Sequence, residues 1–155
     1  MKNNINISVI GLGYVGLPLA IEFGKYFNTI GFDISKKKIN NLKKGNDINN
    51  EISKNQIKNS KYLYFSNDQS DLVNSNIKII AVPTPVKKNN KPDLTILLNA
   101  CKLTAKMLNK NDLIIFESTV FPGLTENFCV PEIEKYSKFK WKRDFNVGYS
   151  PERIN

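Results

Sequence analysis

The 155-residue sequence contains no histidine. Within it there is therefore no imidazole to serve as a general base, a triad member or a metal ligand, and no metal site is expected. Cysteine occurs twice, as Cys101 and Cys129, without metal-binding or redox spacing. That fits a reduced, cytoplasmic compartment. Arginine is also scarce: Arg143 and Arg153 are the two copies, although Lys and Arg together outnumber Asp and Glu by 23 to 14, for a net charge of +9. The lysines are dispersed among asparagines, with no arginine-rich patch and no alternation of basic and aromatic residues. The charge therefore reads as a solvated basic surface rather than a nucleic-acid footprint. No apolar run approaches a membrane span, and Met1-Lys2-Asn3-Asn4 leads straight into a strand without a signal-peptide pattern. No membrane association is expected.

What is present begins at the amino end. The apolar run from Ile5 to Ile10 leads into Gly11-Leu12-Gly13-Tyr14-Val15-Gly16, then a helical stretch, then Thr29-Ile30-Gly31-Phe32 ending at Asp33. A strand, a glycine turn, a helix, a strand and a distal acid make up the dinucleotide-binding fingerprint. Each part has a physical task. Gly11 permits the tight turn off the strand, Gly13 lets a pyrophosphate approach the backbone, and Gly16 lets the helix lie close to the strand. The free N–H groups at the helix start favour phosphate. Asp33, 22 residues after Gly11, is placed to accept hydrogen bonds from the adenine-ribose hydroxyls and to repel a 2′-phosphate. NAD is favoured over NADP, a preference softened by the neighbouring cations Lys36, Lys37 and Lys38.

With 41% hydrophobic residues the chain can build one domain with its own core. Ser35 caps a helix running to about Lys44 and closed by Gly45. Residues 46–60 read as a short helix and loop, Tyr62–Ser66 as a strand, and Asp68–Asn74 as a helical turn. Ile77–Val82 is a strongly apolar strand. Asp93–Leu108 is an amphipathic helix whose stripe of Leu94, Leu97, Leu98, Cys101 and Leu108 makes Cys101 a core residue. Asp112–Glu117 and Phe145–Tyr149 read as the last two strands. The helix predicted over Pro122–Lys135 is ended or kinked by Pro131. The alternation predicts an α/β, Rossmann-type doubly wound parallel sheet of about six strands, with helices on both faces.

Ligands bind such folds beyond the carboxyl ends of the strands. Three further segments fall there: Val82-Pro83-Thr84-Pro85, Glu117-Ser118-Thr119-Val120-Phe121-Pro122-Gly123, and Tyr149-Ser150-Pro151-Glu152-Arg153. Together with the glycine turn they set hydroxyls, a carboxylate and a guanidinium along one sheet edge, as a crevice for cofactor and substrate requires.

In their order and combination, Gly11-Leu12-Gly13-Tyr14-Val15-Gly16-Leu17-Pro18, Val82-Pro83-Thr84-Pro85, Glu117-Ser118-Thr119-Val120 and Ser150-Pro151-Glu152-Arg153 resemble the UDP-glucose / UDP-N-acetylhexosamine 6-dehydrogenase family. The resemblance runs from Ile7 to Asn155. It implies oxidation of C6 of a UDP-sugar substrate to a carboxylate with two NAD, supplying capsule, lipopolysaccharide and other surface polysaccharides. The Tyr-Ser-Pro-Glu-Arg form is similar to the branch acting on N-acetylated sugars. A UDP-glucose or GDP-mannose 6-dehydrogenase, and a non-catalytic NAD-binding module, are the other readings.

By position, the resemblance assigns Gly11, Gly13, Tyr14, Val15 and Gly16 to the pyrophosphate, and Asp33 with Lys38 to the ribose. Val82, Pro83 and Thr84 run along the cofactor, with Ser118 and Thr119 beside the nicotinamide. Thr119 also helps orient a catalytic water. Glu152 serves as the general base and touches substrate, as does Arg153. The resemblance further implies a cysteine nucleophile, a dimerising helix and a UDP-binding domain lying beyond Asn155. Residues 1–155 are thus expected to be a truncated NAD-binding domain, inactive alone, of an enzyme that forms a homodimer.

Overall fold

A computed structural model describes residues 5–87, 90–118 and 122–150 of the chain. Six strands form one sheet: β1 (Asn6–Ile10), β2 (Asn28–Phe32), β3 (Leu63–Ser66), β4 (Ile77–Ile80), β5 (Leu113–Phe116) and β6 (Asn146–Tyr149). Their order is β3-β2-β1-β4-β5-β6, and every neighbouring pair is parallel. The order reverses between β1 and β4, which opens a crevice at their carboxyl ends. Ile7, Ser8, Val9 and Ile10 are all buried, because a central parallel strand is covered on both faces.

One face carries α1 (Gly16–Phe23) and α2 (Lys36–Lys43). They contribute Leu17, Ala20, Ile21, Ile39 and Leu42 to a core with Val9 and Ile79. The other face carries α4 (Thr95–Lys106) and α5 (Val130–Ser137). Here Leu97, Ala100, Cys101 and Ile133 pack with Ile10, Phe32, Ile80 and Phe116. The doubly wound arrangement follows from the sequence alternation as expected, and Cys101 is a core residue. Among the described residues no helix is long and apolar enough to cross a membrane.

Side chains set several boundaries. Ser35 accepts from Lys38 N–H at 3.3 Å to begin α2. Ser53 and Gln56 form a capping box that begins α3 (Lys54–Asn59). The helix predicted from Asp93 starts at Thr95, because Asp93 Oδ1 accepts from both the N–H and the hydroxyl of Thr95. The apolar run to Val82 leaves the sheet after Ile80. Pro131 does not end its helix. A wide π turn at Thr125–Cys129 leads directly into α5, and Pro131 is the second residue of α5, so the widened turn accommodates its ring and missing N–H.

At the amino ends of β4 and β5, away from the crevice, Lys78 is fully buried. Its Nζ donates to Asp112 Oδ2 at 2.7 Å and to Ser75 O at 2.5 Å. Asp112 Oδ2 also accepts from Asn109 N–H at 2.8 Å.

Candidate dinucleotide-binding cleft

Over the carboxyl ends of β1, β2, β4 and β5 lies a cleft of about 950 Å³, a size suited to a cofactor. Its floor is the glycine turn. Gly11 takes φ +96°, and a Cβ there would meet Ala81 O at 2.9 Å, so the turn is confined to glycine. At Gly16 a Cβ would lie 1.8 Å from Gly11 O and 3.1 Å from Ala81 Cβ. This is where helix and strand come closest. Gly13 is the opposite case: a Cβ would meet nothing within 4 Å, so bare backbone faces open space. Val15, the residue before α1, supplies no side-chain cap. Leu17 N–H is returned to Gly13 O at 3.0 Å, while no described backbone acceptor takes the N–H of Gly13, Tyr14 or Val15. Open space above unpaired donors at a helix start fits a diphosphate.

Asp33, 7% exposed, ends β2 beside this turn. Its Oδ2 accepts from Leu12 N–H at 3.1 Å and from Lys38 Nζ at 2.6 Å, and its Oδ1 accepts from Ser35 N–H at 2.9 Å. Three of roughly four acceptor positions are thus taken, and one is left on Oδ1. The carboxylate organises the glycine turn as well as facing the cleft. Of the three lysines, Lys38 is the one bound to it; Lys36 and Lys37 are exposed.

The far wall is made by the loops after β4 and β5. Val82, Pro83, Thr84, Glu117 and Ser118 line it. The Ser118 hydroxyl, 2% exposed, donates to Val82 O at 2.8 Å. It therefore ties the two loops together. The cleft thus gathers Gly11, Gly13, Tyr14, Val15, Asp33, Lys38, Val82, Pro83, Thr84 and Ser118, with Gly16 packed beneath. Thr119, Glu152 and Arg153 lie outside the described residues.

A glycine turn, a terminal acid on the second strand and a 3-2-1-4-5-6 sheet are shared by many dinucleotide-binding domains. The sequence separates them. Residues 5–155 match the model of the UDP-glucose/GDP-mannose dehydrogenase family, NAD binding domain. The chain belongs to that family. It is 51% identical over 152 residues to protein CapL of Staphylococcus aureus, with 98% of this chain and 36% of that protein covered. It is 46% identical over 153 residues to the UDP-N-acetyl-D-glucosamine 6-dehydrogenase of Salmonella typhi, covering 99% and 36%. Among solved structures, the UDP-D-ManNAc dehydrogenase of Pyrococcus horikoshii superposes with a TM-score of 0.89 at 33% identity, covering 97% of this chain and 37% of that one. The chain therefore spans little more than a third of the length of these relatives. It carries the family's NAD-binding fold.

The lining extends beyond the residues expected from the motifs. Ile34, Asn49, Ile96, Asn99, Ala100 and Leu103 also face the cleft. Asn49 is brought in by the loop after α2. Asp47 holds that loop by accepting from the N–H groups of Asn49, Glu51 and Ile52 at 3.0–3.2 Å. Residues 96, 99, 100 and 103 form a second stripe on α4, at the i, i+3, i+4, i+7 spacing. That spacing is legible in the sequence once the first stripe has been assigned to the core.

Proposed function

We propose that residues 1–155 form the NAD-binding domain of a UDP-N-acetylhexosamine 6-dehydrogenase. Such an enzyme oxidises the C6 alcohol of its sugar to a carboxylate for surface polysaccharide, capsule above all. The reading of the cofactor rests on one observation: a nearly buried Asp33 carboxylate at the end of β2, next to an open glycine turn. The reading of the sugar rests on similarity to proteins named for UDP-N-acetyl-D-glucosamine oxidation.

In this scheme the N–H groups of Gly13, Tyr14 and Val15 hold the diphosphate, with Gly11 and Gly16 fixing their position. Asp33 and Lys38 take the adenine ribose. Val82, Pro83 and Thr84 support the nicotinamide half, aligned by Ser118, with Thr119 beside it. Bound NAD supplies the hydride acceptor. Glu152, through a water ordered by Thr119, accepts the proton lost from the C6 hydroxyl, and Arg153 contacts the substrate. The nucleophile, the UDP-binding part and the dimer interface belong to the remainder of a longer protein.

Calorimetry tests the cofactor assignment. NAD is expected to bind and NADP to bind more weakly. Asp33→Ser is expected to lower NAD affinity roughly 10- to 100-fold, the worth of a charge-assisted hydrogen bond, and to narrow the gap to NADP. An intact fold that takes up no NAD would overturn the assignment. A second expectation concerns turnover: the 155-residue chain, mixed with NAD and UDP-N-acetylglucosamine, produces no NADH absorbance. Sugar-dependent NADH formation would show that the catalytic set is complete within these residues.

A further inference from the structure

The second stripe of α4 mixes apolar and polar side chains. Ile96, Ala100 and Leu103 are apolar, yet Asn99 sits in the middle of them, facing the same cleft. Asn99 is exposed on the open side of the cleft, where its carboxamide can meet a polar group of a ligand.

The position of α4 says which part of a dinucleotide would arrive. Ile96, Asn99, Ala100 and Leu103 of α4 line the same cleft as Asp33 and Ile34. Asp33 and Ile34 follow Phe32 directly, and Ile34 is 82% exposed. A ribose held at Asp33 would therefore carry its base between Ile34 and the stripe on α4. Ile34, Ile96, Ala100 and Leu103 offer apolar faces for a flat ring, and Asn99 offers a donor and an acceptor side by side.

Resting on the NAD reading above, we infer that Asn99 is the residue that reads the adenine base. Its Oδ1 accepts from the N6 amino group while its Nδ2 donates to N7, the bidentate pairing that asparagine makes with adenine. Hypoxanthine presents an oxo group at that corner, so two acceptors meet one donor and turning the carboxamide over satisfies no more of them. Asn99 is thereby a determinant of adenine over oxo-purine dinucleotides, a separate matter from the NAD-over-NADP choice made at Asp33.

The test is calorimetry of the 155-residue chain with NAD and with nicotinamide hypoxanthine dinucleotide. The unmodified chain is expected to bind NAD roughly tenfold more tightly than the hypoxanthine analogue. Asn99→Leu, at an exposed helical position, is expected to weaken NAD until the two bind alike, with an unchanged melting temperature. Asn49→Ala, the other carboxamide lining the cleft, is expected to leave the ratio intact. The inference is overturned if the unmodified chain binds both dinucleotides equally. It is also overturned if Asn99→Leu keeps the ratio, or if Asn49→Ala is the variant that abolishes it. Binding of neither dinucleotide removes the NAD reading itself, a result distinct from equal binding of both.

Discussion

Asp112→Ala is expected to destabilise the domain by about 3–5 kcal/mol, the cost of leaving a buried ammonium without its counter-ion. For a chain of this length that is a fall in melting temperature on the order of 10 °C. The reason lies in Lys78, which is fully buried and has Asp112 Oδ2 and Ser75 O as its hydrogen-bond partners. Removing the carboxylate strands both the ammonium and Asn109 N–H, which donates to the same oxygen. Lys78→Met should be far milder, because it deletes the charge that needs compensation and keeps much of the volume. Urea unfolding of the two variants decides the matter: equal losses would show that the pair contributes volume rather than charge compensation. The pH dependence has a definite sign. Burial holds the Lys78 ammonium below its ordinary value of 10.5, against the opposing pull of Asp112. Just below pH 10.5 the unfolded chain therefore binds more proton than the folded one, and stability at this site rises with pH there. Lys78→Met removes that rise.

Gly16→Ala is expected to disrupt binding and fold together, and Gly13→Ala binding alone. At Gly16 the added methyl meets Gly11 O at 1.8 Å, a backbone atom that yields only if the turn moves. We expect a stability loss of about 3 kcal/mol, the upper end of overpacking costs. NAD affinity is expected to fall on the order of a hundredfold, as several N–H contacts worth about 1 kcal/mol each are misplaced. At Gly13 the same methyl meets nothing within 4 Å. Its unfolding curve should match that of the unmodified domain while NAD affinity drops, because the methyl fills the space assigned to the diphosphate. A Gly13→Ala variant that binds NAD normally would move the diphosphate elsewhere.

Much of this architecture could be read from local chemistry. The glycine turn, Asp33 and the Ser35 cap each announce themselves within a few residues, since turns and caps are local devices. Lys78 did not. Inside Ile77–Val82 it reads as one polar interruption of an apolar strand, and the partner that makes its burial tolerable is 34 residues away. Asn49 was hidden for another reason: the segment 46–60 has no periodicity, and its conformation depends on a single carboxylate, Asp47, bonding three N–H groups ahead of it. Asn99 does not stand out, because the core stripe of α4 is the stronger signal, and a helix between core and cleft carries two. Pro131 reads as a helix breaker, yet a widened turn before it absorbs the missing donor and the ring.

The bond from the Ser118 hydroxyl to Val82 O has a consequence for engineering. It is a rivet between the loops that follow the neighbouring strands β4 and β5, so those loops are not interchangeable parts. A graft of the β5 loop into another dehydrogenase scaffold needs the serine on the donor side and an outward-turned carbonyl on the host side. Without both, the transplanted segment has the right residues and no anchorage.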